Sequence, residues 1–501
     1  MIDSSTLSSL PASVRRPSYD RAAVTAGIAH LSVGNFHRAH QAVYVDRVLA
    51  LPGHAGWGIL GIGLMDVESE RAKAAALQGQ GGLYSLVDYP PEGEPTVSVI
   101  GSIVDYLHAP ADPEAALRRL ADPAIRILTL TVTEGGYNTD ENGRFKLDDP
   151  AVAKDLAGGL PATSFGIITE ALRRRRDAGT APFTVLSCDN LKHNGHVVKT
   201  ALLSYARAKD PGLARWIDEH VSFPSCMVDR ITPAVSPDDR ARLNAFSGID
   251  DASPVFAEDF IQWVIEDDFC NGRPELEKVG VEFTRDVNAY EQVKLRMLNA
   301  SHSMMAFPGI MLGHRIVPLT MQDRRIDALL EQFLSRDAGP LLDAPPSMSV
   351  EDYAAMLLRR YRNPAIRDQL LRIASDGASK LPQFVRETLG AVLERGTDHR
   401  RIAFLLACFT EYLGGVDDRG ERFPVVEPHV SPADMALAAD PDLAQGLAIG
   451  AFAGWGLEAF PAFAADYARL RGSIKEKGAG ATLEALLAEI GGQGRAVGGG
   501  R

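Results

Sequence analysis

Twelve residues in the second half of the chain carry its densest chemistry: Glu291-Gln292-Val293-Lys294-Leu295-Arg296-Met297-Leu298-Asn299-Ala300-Ser301-His302. Read as a helix of about 100° per residue, Lys294, Asn299 and His302 fall within about 140° of one face, with Leu298 between them. An amine on an otherwise apolar face is desolvated, which disfavours its charged form and equips it to act as a base near neutral pH. By spacing alone the same residues also describe a solvated surface lysine and a helix-interior amide. A second polar set, Ser187-Cys188-Asp189-Asn190-Leu191, follows a short apolar run. Parallel sheets place ligands at the carboxyl ends of their strands, which makes Asn190 a candidate, although a turn or capping asparagine fits equally. A third set joins Arg372 to Lys380 around Ser375-Asp376-Gly377. Two such cations are suited to gripping hydroxyls or a carboxylate, or simply to decorating a loop.

Near the start, Ser32-Val33-Gly34-Asn35-Phe36-His37-Arg38 reads as a strand turning tightly into a helix. That geometry presents backbone N–H groups and the positive end of a helix dipole to a pyrophosphate. Asp66 or Glu68, beyond the next apolar run, is spaced to accept hydrogen bonds from adenosine ribose hydroxyls; a carboxylate there favours NAD over NADP, whose extra phosphate it repels. Ser32 stands where the first glycine of a GxGxxG would lie, so the motif by itself also describes an ordinary βα turn. Cys188, His193, His196 and His40, with His37 close by, suggest a metal. No HExxH or carboxylate-rich spacing accompanies them, and imidazoles at a helix start commonly bond caps or solvent.

These residues need a scaffold, and the alternation of apolar runs supplies one. Strands are expected at 28–33, 58–64, 97–104, 125–133 and 183–187, with helices at 38–49, 113–120, 164–176 and 195–208. About 30 residues separate the first strand from the acidic segment at Asp66, the span of a βαβ unit. Repeated strand–helix alternation predicts a Rossmann-like, doubly wound parallel sheet. Past about residue 285 the periodicity turns helical, at 290–305, 326–334, 350–362, 365–374, 382–394 and 402–413. The expected organisation is α/β plus α: a nucleotide-binding domain over 1–285, a mainly helical substrate-binding and catalytic domain over 286–490, and a flexible Gly-rich tail over 491–501.

Composition narrows the class. The 501 residues are 46% hydrophobic and 23% charged, with a net charge of -13, the balance of an ordinary globular chain that repels nucleic acid and anionic membranes. No apolar run reaches the roughly 18 residues of a membrane span, and residues 1–19 lack the apolar core of a signal peptide. Four cysteines without a CxxC pair make neither a disulfide framework nor a zinc knuckle, which suggests a reducing cytoplasm.

Taken in order, Gly27-Ile28-Ala29-His30 with Gly34 and Phe36-His37-Arg38-Ala39-His40-Gln41-Ala42, Thr133-Glu134-Gly135-Gly136-Tyr137, Ser187 to Leu191, Met227-Val228-Asp229-Arg230-Ile231-Thr232-Pro233, Lys294 to His302 and Arg372 to Lys380 resemble the signatures of the polyol-specific long-chain dehydrogenases, closest to the mannitol 2-dehydrogenase branch. The resemblance implies NAD-dependent, metal-free interconversion of a polyol and a ketose, D-mannitol and D-fructose first. It implies Lys294 as general base, Asn190 and Asn299 flanking the reacting oxygen, and His302 orienting hydroxyls or the lysine. Asp229, Arg372 and Lys380 would bind the rest of the polyol, with Glu134 at the site mouth. Ser32, Gly34, Asn35, Phe36, Asp66 and Glu68 would meet the cofactor, and the resemblance leans towards a monomer. The family usually carries glycine at the position of Ser32 and a small residue at that of Asn35. D-arabinitol, sorbitol or a hexuronate such as fructuronate are alternative substrates within the family. Outside it stand a metal-dependent hydrolase or lyase, which would ignore NAD, and a redox sensor, which would have no use for a base.

Overall fold

Six consecutive buried residues, Ala26–Leu31, form the first strand, β1, and set the middle of a five-stranded sheet in this computed structural model. The structure describes residues 1–140 and 143–496, with the backbone only for Glu134 and residues 492–496. Its backbone divides into two compact units, Met1–Asn288 and Ala289–Arg501.

In the first unit, β2 (Gly58–Gly63), β5 (Ile103–His108), β6 (Ile127–Leu130) and β7 (Thr184–Ser187) join β1 in the order β5-β2-β1-β6-β7, every pair parallel. The chain builds outward from β1 through β2 to β5 and then returns to β6 on the other side. The order therefore reverses beside β1, the place where doubly wound sheets bind ligands. Both faces are covered, which is why these strands read as near-continuous apolar runs. On one face Leu31, Leu128 and Val185 pack with Leu117, Ile168 and Leu202 from the helices Pro113–Ala121, Ser164–Asp177 and Asn194–Lys209. On the other, Ile28, Ile59 and Ile127 pack with Val45 and Leu77, from α2 (Gln41–Leu49) and α3 (Glu68–Gly79).

Several boundaries differ from the sequence reading. The single helix expected over 38–49 is broken at His40, leaving a five-residue α1, Asn35–Ala39, ahead of α2. The His40 ring is fully buried and bonds the Gln262 carbonyl at 2.8 Å, which takes its backbone off the helical path. The strand expected over 97–104 is two strands, β4 (Thr96–Ile100) and β5, in different sheets. Between them the Gly101 N–H is held by Asp46 and the Ser102 hydroxyl by the Ala42 carbonyl. Two three-stranded sheets were not anticipated: β4-β3-β9, with β3 (Tyr84–Tyr89) and β9 (Val255–Glu258), and β11-β10-β8, with β8 (Cys226–Asp229), β10 (Gln262–Glu266) and β11 (Glu282–Thr284).

The second unit is helical. Ala300–Met311, Arg400–Tyr412 and Pro461–Ala496 pack around one another, sharing Phe307, Phe409 and Tyr467 in one core. The last helix is kinked at Gly478, whose φ of 84° suits glycine. There the Asp418 carboxylate accepts the N–H groups of Ala479 and Gly480 at 2.9 and 2.8 Å, capping the second half from across the fold. Residues 491–496 of the anticipated tail close this helix, and 497–501 lie outside the described residues. Only Leu370–Ala374 of the 365–374 stretch is helical, because the Asn363 side chain accepts the Ala365 N–H and starts a turn instead.

Candidate active site

The carboxyl ends of the central strands carry most of the first unit's candidates. After β1, Ser32 takes the left-handed φ of 67° that ordinarily favours glycine. Its N–H donates to the Ile62 carbonyl at 2.9 Å, and its carbonyl accepts from the Thr131 hydroxyl at 3.0 Å. Gly34 follows in extended conformation, and a Cβ built on it would meet nothing within 4 Å, so the face of the turn is open. The Asn35 carboxamide oxygen accepts from Arg38 at 2.7 Å, and Phe36 stacks on His40 with centroids 4.9 Å apart. Beyond β2, Asp66 stands two-thirds exposed in an ion pair with Arg71, and Glu68 is exposed at the first position of α3. An open turn with exposed carboxylates one strand away fits a dinucleotide.

Between β6 and β7 the organising group is Asp189, to which sequence reasoning gave no role. Its buried carboxylate accepts the N–H groups of Val132 and Thr133, each at 3.0 Å, and the Tyr137 hydroxyl at 2.8 Å. Burial and the Asp189 charge push the Tyr137 hydroxyl well above the usual phenol range, so it remains a donor. This anchor holds Thr133 at a φ of 60° and fixes the turn Thr133–Gly136 on which Glu134 sits; the Glu134 side chain lies outside the described residues. Asn190, the next residue, is exposed at the same edge. Asp189→Asn turns one accepting oxygen into a donor facing N–H groups. It should lower folding stability by about 1–3 kcal/mol, read by denaturant unfolding; an unchanged midpoint would remove Asp189 as the anchor. Asp229 is buried at the end of β8, opposite Gln262 of β10. Cys188 and Cys226 are free, buried thiols, and burial raises the Cys188 thiol well above its ordinary range.

The second unit contains the lysine segment, and its local geometry was not foreseen. Lys294–Asn299 forms a π turn between the α-helical stretches Val287–Val293 and Ala300–Met311. Its i→i+5 pattern brings residues five apart nearly above one another, so Lys294 and Asn299 are closer to a common face than an α-helix would allow. Lys294 is 7% exposed, Asn299 8%, and His302 is half-buried with its ring 5.0 Å from that of Tyr361. The Tyr361 and Ser301 hydroxyls both reach the Leu298 carbonyl, at 3.1 and 3.0 Å, and brace the turn. The helix Gly377–Phe384 packs against it and carries Lys380, whose ammonium donates to the carbonyls of Ser375 and Ile373 at 2.6 and 3.2 Å. Arg372 stands two-thirds exposed, ion-paired with Asp368. The second unit thus gathers Lys294, Asn299 and His302 on one segment with Lys380 on the neighbouring helix, whereas Arg372 faces solvent.

Five non-glycine residues adopt positive φ among the described residues: Ser32, Thr133, Asn138, His193 and Asp376. All lie in or beside the segments singled out above. Backbone strain of this kind persists where the surroundings over-determine it and concentrates at functional sites. Among the described residues no group of three or more His, Cys, Asp or Glu is placed to hold a metal ion.

A Rossmann sheet in one unit and a helical second unit presenting a lysine, an amide and an imidazole define a nucleotide-dependent oxidoreductase. Family models describe the parts: the mannitol dehydrogenase Rossmann domain matches residues 26–278 and the mannitol dehydrogenase C-terminal domain residues 286–471. The chain belongs to the mannitol dehydrogenase family. It is 48% identical to a polyol:NADP oxidoreductase of Gluconobacter oxydans (strain 621H), over 97% of this chain and 100% of that one. It is 41% identical to a mannitol 2-dehydrogenase of Cereibacter sphaeroides, over 95% and 99%. Among solved structures, a D-sorbitol dehydrogenase in substrate-free form matches with a TM-score of 0.92 at 47% identity, covering 96% of this chain and 100% of that one. The Pseudomonas fluorescens mannitol 2-dehydrogenase in ternary complex with NAD and D-mannitol matches with a TM-score of 0.84 at 41% identity, covering 97% and 99%. The protein is therefore an oxidoreductase of the polyol dehydrogenase kind, and its first unit is the family's nicotinamide-nucleotide-binding domain.

Proposed function

We propose that the protein oxidises a polyol at one secondary alcohol to the corresponding ketose, reversibly, with D-mannitol to D-fructose the first candidate and NAD the cofactor. The observation that supports it most directly is the buried π turn carrying Lys294 and Asn299 together. In this reading Lys294 Nζ takes the hydroxyl proton, and Asn299 and Asn190 donate hydrogen bonds to the oxygen as negative charge builds on it. His302 orients the hydroxyl against Lys294, while Asp229, Lys380 and Arg372 bind the remaining hydroxyls, with Glu134 at the mouth. Ser32, Gly34, Asn35 and Phe36 hold the pyrophosphate side of the nucleotide, and Asp66 or Glu68 its adenosine ribose. Bound there, the nicotinamide supplies the hydride acceptor. An ammonium and two amides supply the charge stabilisation that zinc gives other alcohol dehydrogenases, so no metal is required. The protein acts as a monomer in a reducing cytoplasm, where its four free cysteines remain thiols.

Sorbitol is the second substrate reading, favoured by the similarity to the D-sorbitol dehydrogenase structure. D-arabinitol and a hexuronate remain to be compared in the same assay. NADP has its own supporting observation: Arg71, paired with Asp66, is a cation available to a 2′-phosphate. The deciding experiment follows nicotinamide absorbance with NAD and with NADP against mannitol, sorbitol, arabinitol and mannonate, with and without a chelator. NAD-linked polyol oxidation that survives chelation is expected; silence with every polyol, or collapse under chelation, rejects the reading. Asp66→Ala should then reduce the preference for NAD over NADP by about tenfold, the loss of roughly 1.4 kcal/mol of ribose binding and phosphate repulsion. An unchanged cofactor ratio in both Asp66→Ala and Glu68→Ala removes these carboxylates from the ribose.

A further inference from the structure

We propose that His30 and Thr131 are positioning residues for the dinucleotide: donated hydrogen bonds running from Thr129 through His30 and Thr131 to the Ser32 carbonyl set the turn that receives the pyrophosphate. The inference rests on the reading of that turn as the nucleotide site. Its starting point is Ser32, a residue with a Cβ held at a φ of 67°. Glycine would adopt this conformation freely; serine keeps it only when its surroundings leave no alternative. Both backbone polar atoms of Ser32 are held, the N–H by the Ile62 carbonyl and the C=O by the Thr131 hydroxyl.

The direction of the chain follows from proton counting. Thr131 has one hydroxyl proton and gives it to Ser32, so at its 3.0 Å contact with His30 Nε2 it must accept. His30 therefore carries its proton on Nε2, and its Nδ1 accepts from the Thr129 hydroxyl at 2.7 Å, the nearer of that hydroxyl's two acceptors, the Ala29 carbonyl standing at 3.3 Å. The ring is fully buried, and burial lowers its pKa to about 3, which keeps it in this neutral form. His37, from the helix after the turn, lies on the same ring with centroids 3.5 Å apart and planes 14° from parallel. Neither nitrogen of the buried His37 has a hydrogen-bond partner among the described residues. Its contact with His30 is thus made by its face, and it ties α1 to the imidazole that fixes Ser32. The strand, the turn and the helix meet on one histidine.

The test compares Thr131→Val, which keeps the shape and removes the proton, with Thr131→Ser, which keeps the proton. NADH binding is measured by calorimetry, and kcat and KM are measured for NAD and for the polyol. Thr131→Val should weaken NADH binding and raise KM for NAD about tenfold, with kcat and the polyol KM within about twofold, and Thr131→Ser should restore the parent values. In a Ser32→Gly background the same Thr131→Val change should cost about threefold or less, because glycine needs no support at that φ. Equal effects in both backgrounds, or a fall in kcat matched by equal rises in both KM values, would mean a merely structural role and overturn the proposal. Should Thr131→Val not fold, Thr131→Cys, with its far weaker donor, reads the same comparison. A parent protein that binds neither NADH nor NADPH would reject the nucleotide reading itself; a parent that binds NADH while Thr131→Val binds it equally well rejects the relay alone.

Discussion

Lys294→Ala is expected to lower turnover by about two to four orders of magnitude while leaving NADH affinity within about twofold. In the proposed reading the lysine, nearly buried on a turn shared with Asn299, is the proton acceptor, and the residues proposed to hold the nucleotide all belong to the other unit. The pH profile is the sharper readout. A lysine base must lose its proton before it can accept one, so parent oxidation rises with pH to a plateau, while ketose reduction, which needs the ammonium, is favoured nearer neutrality. In Lys294→Ala that pH dependence should disappear from both directions. A defect of less than about tenfold, or an unchanged pH profile, would exclude Lys294 as the base.

Asn299→Ala should cost about 10²–10³-fold in kcat, the range found when one donor to a developing oxyanion is removed. The expectation comes from the turn. In an α-helix Asn299 would stand about 140° around the axis from Lys294; the π turn brings both towards one side, as the proposed pairing of amine and amide on one oxygen requires. The fall should appear in kcat with little change in polyol KM, since the amide's bond strengthens as charge develops. Asn190→Ala, from the edge of the parallel sheet, should show a kcat-weighted loss of the same kind. A change confined to KM in Asn299→Ala would reassign that amide to ground-state binding.

The parallel sheet was legible because its strands are buried on both faces and stand out as apolar runs between helical periods. The two small sheets were not, since β4 and β5 run together in sequence and part only where Asp46 and Ala42 hold Gly101 and Ser102. The final helix was hidden by glycines that interrupt its periodicity; what continues it past Gly478 is Asp418, sixty residues upstream and silent as a local signal. The candidate site divides in the same way. Lys294, Asn299, Asn190 and Gly34 could be singled out as candidates from type and spacing, and their proposed roles come from the resemblance to the family. Asp189, Thr131 and Tyr361 could not, because each acts by holding another segment's backbone, a relation that needs the fold before it exists. The left-handed φ of Thr133 was likewise invisible, as nothing in a threonine announces it; His193 and Asp376 are of types that adopt it more readily, but their type alone does not single them out.

The π turn gives the lysine segment an unusual vulnerability. A turn of this kind amounts to one residue more than an α-helix of the same span would hold. Were the same residues to pair as an ordinary α-helix, Lys294 would swing by roughly a quarter turn relative to His302 and move away from Asn299. The chemistry proposed for this segment would then be lost through a change of hydrogen-bond register along the helix, with every side chain of the proposed site still present. For this stretch, register is as strict a requirement as composition.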